Sequence, residues 1–210
     1  MQTDAVIEAK TNDRPVRLLD VNDVSVRFGG VVALDGLTFG VDTGQICALI
    51  GPNGAGKTTM FNVVSRLYQP TSGTVTFDGR DLLSLSPHRI SSVGIARTFQ
   101  NLALVPGLTV LDNVAIGAHH LHRRGFTSSM LMLGSGSERH TRKQATALLE
   151  RLDLGHLAHR RCAGLPFGTL KRIEIARSLA SAPRMLLLDE PASGLTHAEV
   201  DELAERIQEI

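Results

Sequence analysis

The sequence predicts an α/β fold with a parallel sheet core, an antiparallel β section before it and a helical section within it. Three observations carry this. Val24, Val26 and Phe28, then Leu37, Phe39 and Val41, alternate apolar and polar on either side of Gly29-Gly30, which predicts an antiparallel pair. Two short stretches, the strand expected over 45–50 with its apolar run Ile46 to Ile50, and the wholly apolar Met185 to Leu188, lack alternation, as expected of strands buried on both faces. Between them the chain reads as mostly helical from about 109 to 181.

The elements follow in order. Residues 1–17 are polar and mixed in charge and predict a flexible tail ahead of a domain over 18–210. A short strand over 74–77 lies between the turn pairs Ser72-Gly73 and Asp78-Gly79. Ser86-Pro87 reads as an N-cap followed by proline at the first helical position, and 95–99 as a short strand. The patch 123–140 mixes Gly, Ser and Met and reads as a loop or insertion. Thr196 and Glu199 have capping-box spacing, and Val200, Leu203, Ile207 and Ile210 share one helical face. No Gly or Pro closes that last helix.

Composition bounds the function. The 210 residues suffice for one substantial domain. Hydrophobic residues make up 42%, charged residues 20%, and the net charge is +1, so no basic excess points to nucleic acid. Trp is absent and Tyr occurs once, which also argues against base-stacking surfaces. Cys47 and Cys162 lie far apart without metal-ligand spacing and read as buried, reduced thiols. No apolar run approaches the roughly 18 residues of a membrane span. The N-terminus has no apolar signal core, so a cytosolic location is expected.

The chemistry begins at Gly51-Pro52-Asn53-Gly54-Ala55-Gly56-Lys57-Thr58-Thr59. This satisfies the phosphate-loop pattern G-x(4)-G-K-[ST], with an apolar strand expected before it and a helix after it. Glycines let successive backbone N–H groups converge on an anion, and the following helix aims its positive end at the same point. Lys57 adds a full charge for the β and γ phosphates, and the Thr58 hydroxyl can ligate Mg²⁺. The second element is Arg184-Met185-Leu186-Leu187-Leu188-Asp189-Glu190-Pro191. A carboxylate ending a buried strand is where Mg²⁺ needs a second anchor, and Asp189 suits it. Glu190, pointing to the other side, can act as general base on water.

With these two motifs the chain resembles the ATP-binding subunits of ABC transporters, over roughly residues 18–210. The resemblance implies a P-loop NTPase with a RecA-like core, an antiparallel β subdomain and a helical subdomain at about 101–182. It implies a glutamine, Gln100 in Arg97-Thr98-Phe99-Gln100, that contacts Mg²⁺ and water and couples to a transmembrane partner. It places Phe28 where the family stacks an aromatic on adenine, although a sheet residue facing the core remains the alternative. It matches Leu165-Pro166-Phe167-Gly168-Thr169 to the signature LSGGQ that binds the γ-phosphate held by a second subunit. Leu165 and Gly168 are kept, while Pro166 replaces the serine and Thr169 the glutamine. Ser193-Gly194-Leu195 matches the loop after the catalytic glutamate, with Thr196 in place of the usual aspartate.

Further stretches resemble the branched-chain amino acid importers: Arg27-Phe28-Gly29-Gly30, Phe77-Asp78-Gly79-Arg80-Asp81, Pro87-His88-Arg89-Ile90 and 94–101. The implied assembly is a homodimer or heterodimer of ATP-binding subunits, separate permease chains and a periplasmic or extracellular substrate-binding protein, with ATP and Mg²⁺ as cofactors. The implied location is the cytoplasmic face of the membrane. The family continues past the last helix with another strand and a histidine on the γ-phosphate, so a chain with poor hydrolysis and a tendency to self-associate is expected. A soluble ABC-type ATPase unconnected to transport and a nucleotide-binding module with little turnover stay open as alternatives. His119, His120 and His122 beside Arg123 and Arg124 read as a solvated basic turn, Met130 and Met132 as packing residues, and Asp112-Asn113 as a turn or cap.

Overall fold

The computed structural model describes residues 16–98, 102–118 and 134–210. The chain divides into two compact units, Met1–Val64 with Tyr68–Ser84, and Ser65–Leu67 with Leu85–Ile210.

The first unit is built on a four-stranded antiparallel sheet of order β2-β1-β3-β4. The strands are β1 (Arg17–Phe28), β2 (Val31–Asp42), β3 (Ser72–Phe77) and β4 (Arg80–Asp81). Leu19, Val21, Val24 and Val26 of β1 are buried, with Val75 and Phe77 of β3, so the expected alternation holds at Val24 and Val26, while Phe28 at the strand end is exposed. The β1–β3 ladder breaks register between Asn22 and Ser25. There Asp23 adopts φ 50°, and Gly73 brings its backbone so close that a Cβ would sit 2.4 Å from the Asp23 carbonyl oxygen. The helix α1 (Lys57–Val64) buries Met60, Val63 and Val64.

Three expectations change in this unit. β1 starts at Arg17, inside the expected tail, because Arg17 pairs with Asp42 at 3.2 Å and the Thr43 N–H donates to the Val16 carbonyl. Residues 45–50 belong to neither sheet, and Ile46 and Ile50 are 68% and 94% exposed. An apolar run becomes a central strand only where neighbours offer a ladder on its edges, and none of the described strands does so here. For the same reason Cys47, expected to be buried, is exposed.

The second unit holds a two-stranded parallel sheet of β5 (Ile95–Arg97) and β6 (Met185–Leu187), with Arg97 paired to Leu187. Strand β5 ends two residues earlier than expected, and Phe99 lies outside the described residues. Pro87–Arg89 forms only a 3-10 turn, too short for Ser86 to cap, and the Ser86 hydroxyl lies 3.2 Å from the His88 ring instead. The helices are α2 (Val110–Gly117), α3 (Gly134–Arg151), α4 (Phe167–Leu179) and α5 (His197–Gln208). Val110, Val114, Leu149, Leu154, Ile173 and Ala176 belong to the core shared by α2, α3 and α4. Gly117 is required where α2 meets α4, since a Cβ there would lie 1.9 Å from the Arg177 carbonyl oxygen. Helix α3 starts inside the patch expected to be a loop. Its early turns gain an i,i+4 pair, Glu138 with Arg142 at 3.3 Å, and Arg142 also reaches Asp112 at 2.8 Å. Asp112 and Asn113 do serve a cap: Thr109 caps α2 by accepting from the Asp112 N–H. Asn113, buried, accepts from the Val105 N–H and donates to the Val105 and Thr109 carbonyls and to Cys162 Sγ. Burial raises the Cys162 pKa. The residues around His119, His120, His122, Met130 and Met132 lie outside the described residues.

Candidate nucleotide site

In the first unit the phosphate loop leads into α1, which starts at Lys57 itself. Pro52, Asn53, Gly54, Ala55 and Thr58 are exposed, while Gly51, Gly56, Lys57 and Thr59 are half-buried. Gly54 and Gly56 take φ of 84° and 85°, in the left-handed region that suits glycine. At Gly56 a Cβ would stand 2.4 Å from the Ala33 carbonyl oxygen and 2.6 Å from Leu34 Cδ2, so β2 forms the floor of the loop. Lys57 Nζ donates to the carbonyls of Gly51 at 2.7 Å and Pro52 at 2.9 Å. The ammonium is thereby held across the mouth of an exposed, glycine-rich turn at a helix N-terminus. That donor set fits a polyphosphate.

Phe28 ends β1 and is 47% exposed, so it does not face the core. Its ring meets Tyr68 edge to face, with centroids 5.1 Å apart. Tyr68 was not legible as a site residue, because 40 positions separate the two rings and no pattern links them.

In the second unit Asp189 follows β6 and is buried, whereas Glu190 is exposed. Arg97 Nη2 donates to Asp189 Oδ2 at 2.8 Å, and Arg97 Nη1 donates to Ser65 Oγ at 3.3 Å. The Thr98 N–H donates to the Leu187 carbonyl, and the Asp189 N–H donates to Thr98 Oγ1. Glu190 stands at φ 49°, a conformation costly for a side chain with a Cβ and typical of working sites. The buried carboxylate suits Mg²⁺, which takes one or two carboxylates plus phosphate oxygens and needs no protein cage. No group of three His, Cys, Asp or Glu side chains that could hold a metal ion occurs among the described residues. Gln100 lies outside the described residues.

The signature stretch opens α4. Leu165 is buried, and Pro166 is the N-cap with φ −55° and ψ 149°, giving no side-chain cap. Phe167 lies over Gly194, and the buried Lys171 places its ammonium 5.6 Å from the Phe167 ring centroid. A Cβ on Gly168 would meet Glu199 Oε1 at 2.3 Å. Thr196, standing where the resemblance expects aspartate, caps α5 in a complete capping box with Glu199. Hydrogen bonds from the Thr196 backbone and hydroxyl lower the Glu199 pKa. No described helix is long and apolar enough to cross a membrane.

The family profile described as ABC transporter matches residues 34–193. The chain is 38% identical over 192 residues to the high-affinity branched-chain amino acid transport ATP-binding protein BraF of Pseudomonas aeruginosa, covering 90% of this chain and 74% of that protein. It is 38% identical over 195 residues to LivG of Escherichia coli K12, described in the same words, with 92% and 76% covered. Among solved structures it is similar to the ADP conformation of MJ1267, an ATP-binding cassette of an ABC transporter, at TM-score 0.79 and 30% identity over 92% of this chain and 76% of that one. With its phosphate loop, its Asp189-Glu190 strand end and these likenesses, the chain belongs to the ABC transporter family, as an ATP-binding subunit with a P-loop ATPase fold.

Proposed function

We propose that the chain binds and hydrolyses MgATP to drive a membrane transporter whose cargo is branched-chain amino acids or close relatives. The observation that carries the reading is the Lys57 ammonium held across the loop 51–59 at the start of α1. Lys57 and the loop amides take the β and γ phosphates, and Phe28 offers its exposed face to the adenine. Thr58, Asp189 and Gln100 would hold Mg²⁺, which when bound would draw charge from the phosphates. Glu190 accepts the proton of the attacking water. Leu165 and Gly168 present the N-terminus of α4 to ATP held by a second copy or a related subunit. Reopening after hydrolysis moves separate permease chains at the cytoplasmic face of the membrane, supplied by a substrate-binding protein outside. The cargo class comes from BraF and LivG.

Deleting the gene and following uptake of radiolabelled leucine, isoleucine and valine tests this reading. Uptake is expected to fall and to return with the intact gene but not with Glu190→Gln. Unchanged uptake overturns the cargo assignment.

One observation favours a second reading, a nucleotide-binding module of low turnover. Glu199 sets a carboxylate against Gly168, at the helix start that would meet the second subunit's phosphate. Phosphate release by the purified chain, alone and with its membrane partners, separates the two.

A further inference from the structure

We propose that Arg97 is a positioning residue for the metal step, a resident counter-ion that pairs with Asp189 and aims it until Mg²⁺ takes its place. The proposal rests on the assignment of Asp189 as the Mg²⁺ anchor. The Arg97 and Asp189 side chains are 8% and 6% exposed and 2.8 Å apart, so this is a buried ion pair rather than a surface one.

A buried pair of this kind is a poor stabiliser. Desolvation of both ions roughly cancels their attraction, and apolar residues of similar volume often serve as well or better. A lone buried carboxylate is far worse, because an uncompensated charge then sits in low dielectric. A strand end that must receive a divalent cation therefore has a problem whenever the cation is away. Arg97 solves it. Its backbone is fixed by the parallel ladder to Leu187, two residues before Asp189. Its guanidinium is steadied by Ser65 Oγ at 3.3 Å. Among the described contacts it donates to Oδ2, and Oδ1 is the oxygen that would meet hydrated Mg²⁺. A cation of twice the charge then weakens the arginine contact, so Arg97 and Mg²⁺ compete for one carboxylate.

The test uses the whole chain without nucleotide, melted in EDTA and in millimolar MgCl₂, with CaCl₂ as the comparison salt. Wild type is expected to melt at the same temperature in EDTA and in Mg²⁺. Arg97→Met is expected to melt about 5–15 °C lower in EDTA. Mg²⁺ should recover at least half of that loss, and Ca²⁺ less. Arg97→Met with Asp189→Asn removes both charges and should melt above Arg97→Met in EDTA, with no response to Mg²⁺. Lysine lacks the planar fork and competes less well. Arg97→Lys should therefore bind Mn²⁺ at least threefold tighter in the ATP complex, read by electron paramagnetic resonance, even if Arg97→Met fails to fold. A lower melt for Arg97→Met without Mg²⁺ recovery would overturn the proposal, and so would unchanged Mn²⁺ affinity in Arg97→Lys. If Asp189→Asn leaves the Mg²⁺ dependence of ATP binding intact, the anchor assignment itself fails. If it does not and the arginine variants show no metal response, only the counter-ion role fails.

Discussion

Lys57 Nζ lies 2.7 Å from the carbonyl oxygen of Gly51, so the lysine of the phosphate-loop pattern folds back onto its first glycine. The contact ties the loop into a ring and fixes the charge that a phosphate would meet. Lys57→Ala should leave the fold intact, since the ammonium bonds only to loop carbonyls among its described contacts. ATP affinity should fall about 10–100-fold, because a hydrogen bond to a charged group contributes roughly 1.5–3 kcal/mol. Isothermal calorimetry with MgATP measures it, and unchanged affinity would remove the loop from the site.

Gly54 and Gly56 share the same backbone conformation but not the same surroundings. A Cβ at Gly54 meets nothing within 4 Å, whereas at Gly56 it strikes the Ala33 carbonyl and Leu34. Gly54→Ala should cost only its backbone strain, about 1 kcal/mol. Gly56→Ala should cost more and lose ATP binding with it, because the loop must lift off β2. Urea unfolding of the two variants side by side checks the order.

Glu190→Gln keeps the shape of the side chain and removes the base. Turnover should drop about 10²–10⁴-fold while ATP binding persists. Sedimentation with saturating MgATP should show dimers accumulating in this variant. A strictly monomeric variant would count against closure around two nucleotides.

Asn113 connects the stretch around Val105, the start of α2 and Cys162 through one buried amide. Asn113→Ala strands the Val105 N–H and carbonyl and should destabilise by roughly 1–3 kcal/mol, read by thermal melting.

The lowered pKa of Glu199 fixes the sign of a pH effect. A depressed folded-state pKa means stability that is fully present above the ordinary carboxylate range and lost as pH falls through the lowered value. Wild type should therefore lose its melting advantage over Glu199→Gln as pH is taken from 7 toward 3. Thr196→Ala should remove the cap at every pH, at about 1 kcal/mol. A constant difference between wild type and Glu199→Gln across that range would show that the charge of Glu199 does not contribute.

Local chemistry was legible and long-range chemistry was not. Residues 51–59 carry their own explanation, because turn, charge and helix start are adjacent in the chain. The Thr196–Glu199 box and the alternation of β1 are legible for the same reason. Arg97 and Asp189 are 92 positions apart, and no periodicity links an arginine in one strand to an acid beyond another. Tyr68 against Phe28 is hidden in the same way. The run 45–50 shows the reverse failure: hydrophobicity announces a wish for burial, but a ladder needs a neighbour that composition cannot supply. The early turns of α3 were obscured by glycine and serine, whose weak propensity is outweighed by charge pairs and tertiary contact.

The Asp189 amide closes on the Thr98 hydroxyl, not on a strand carbonyl. The last rung of the β5–β6 ladder is thus a side chain that can turn about a single bond. Opening it leaves the backbone bonds of the ladder untouched, including Thr98 N–H to the Leu187 carbonyl. Proton exchange at that one amide would then be set by a rotamer and not by unfolding. The carboxylate end of the strand can loosen and reseat within a sheet that stays whole, which gives the site a hinge one methyl-bearing carbon wide.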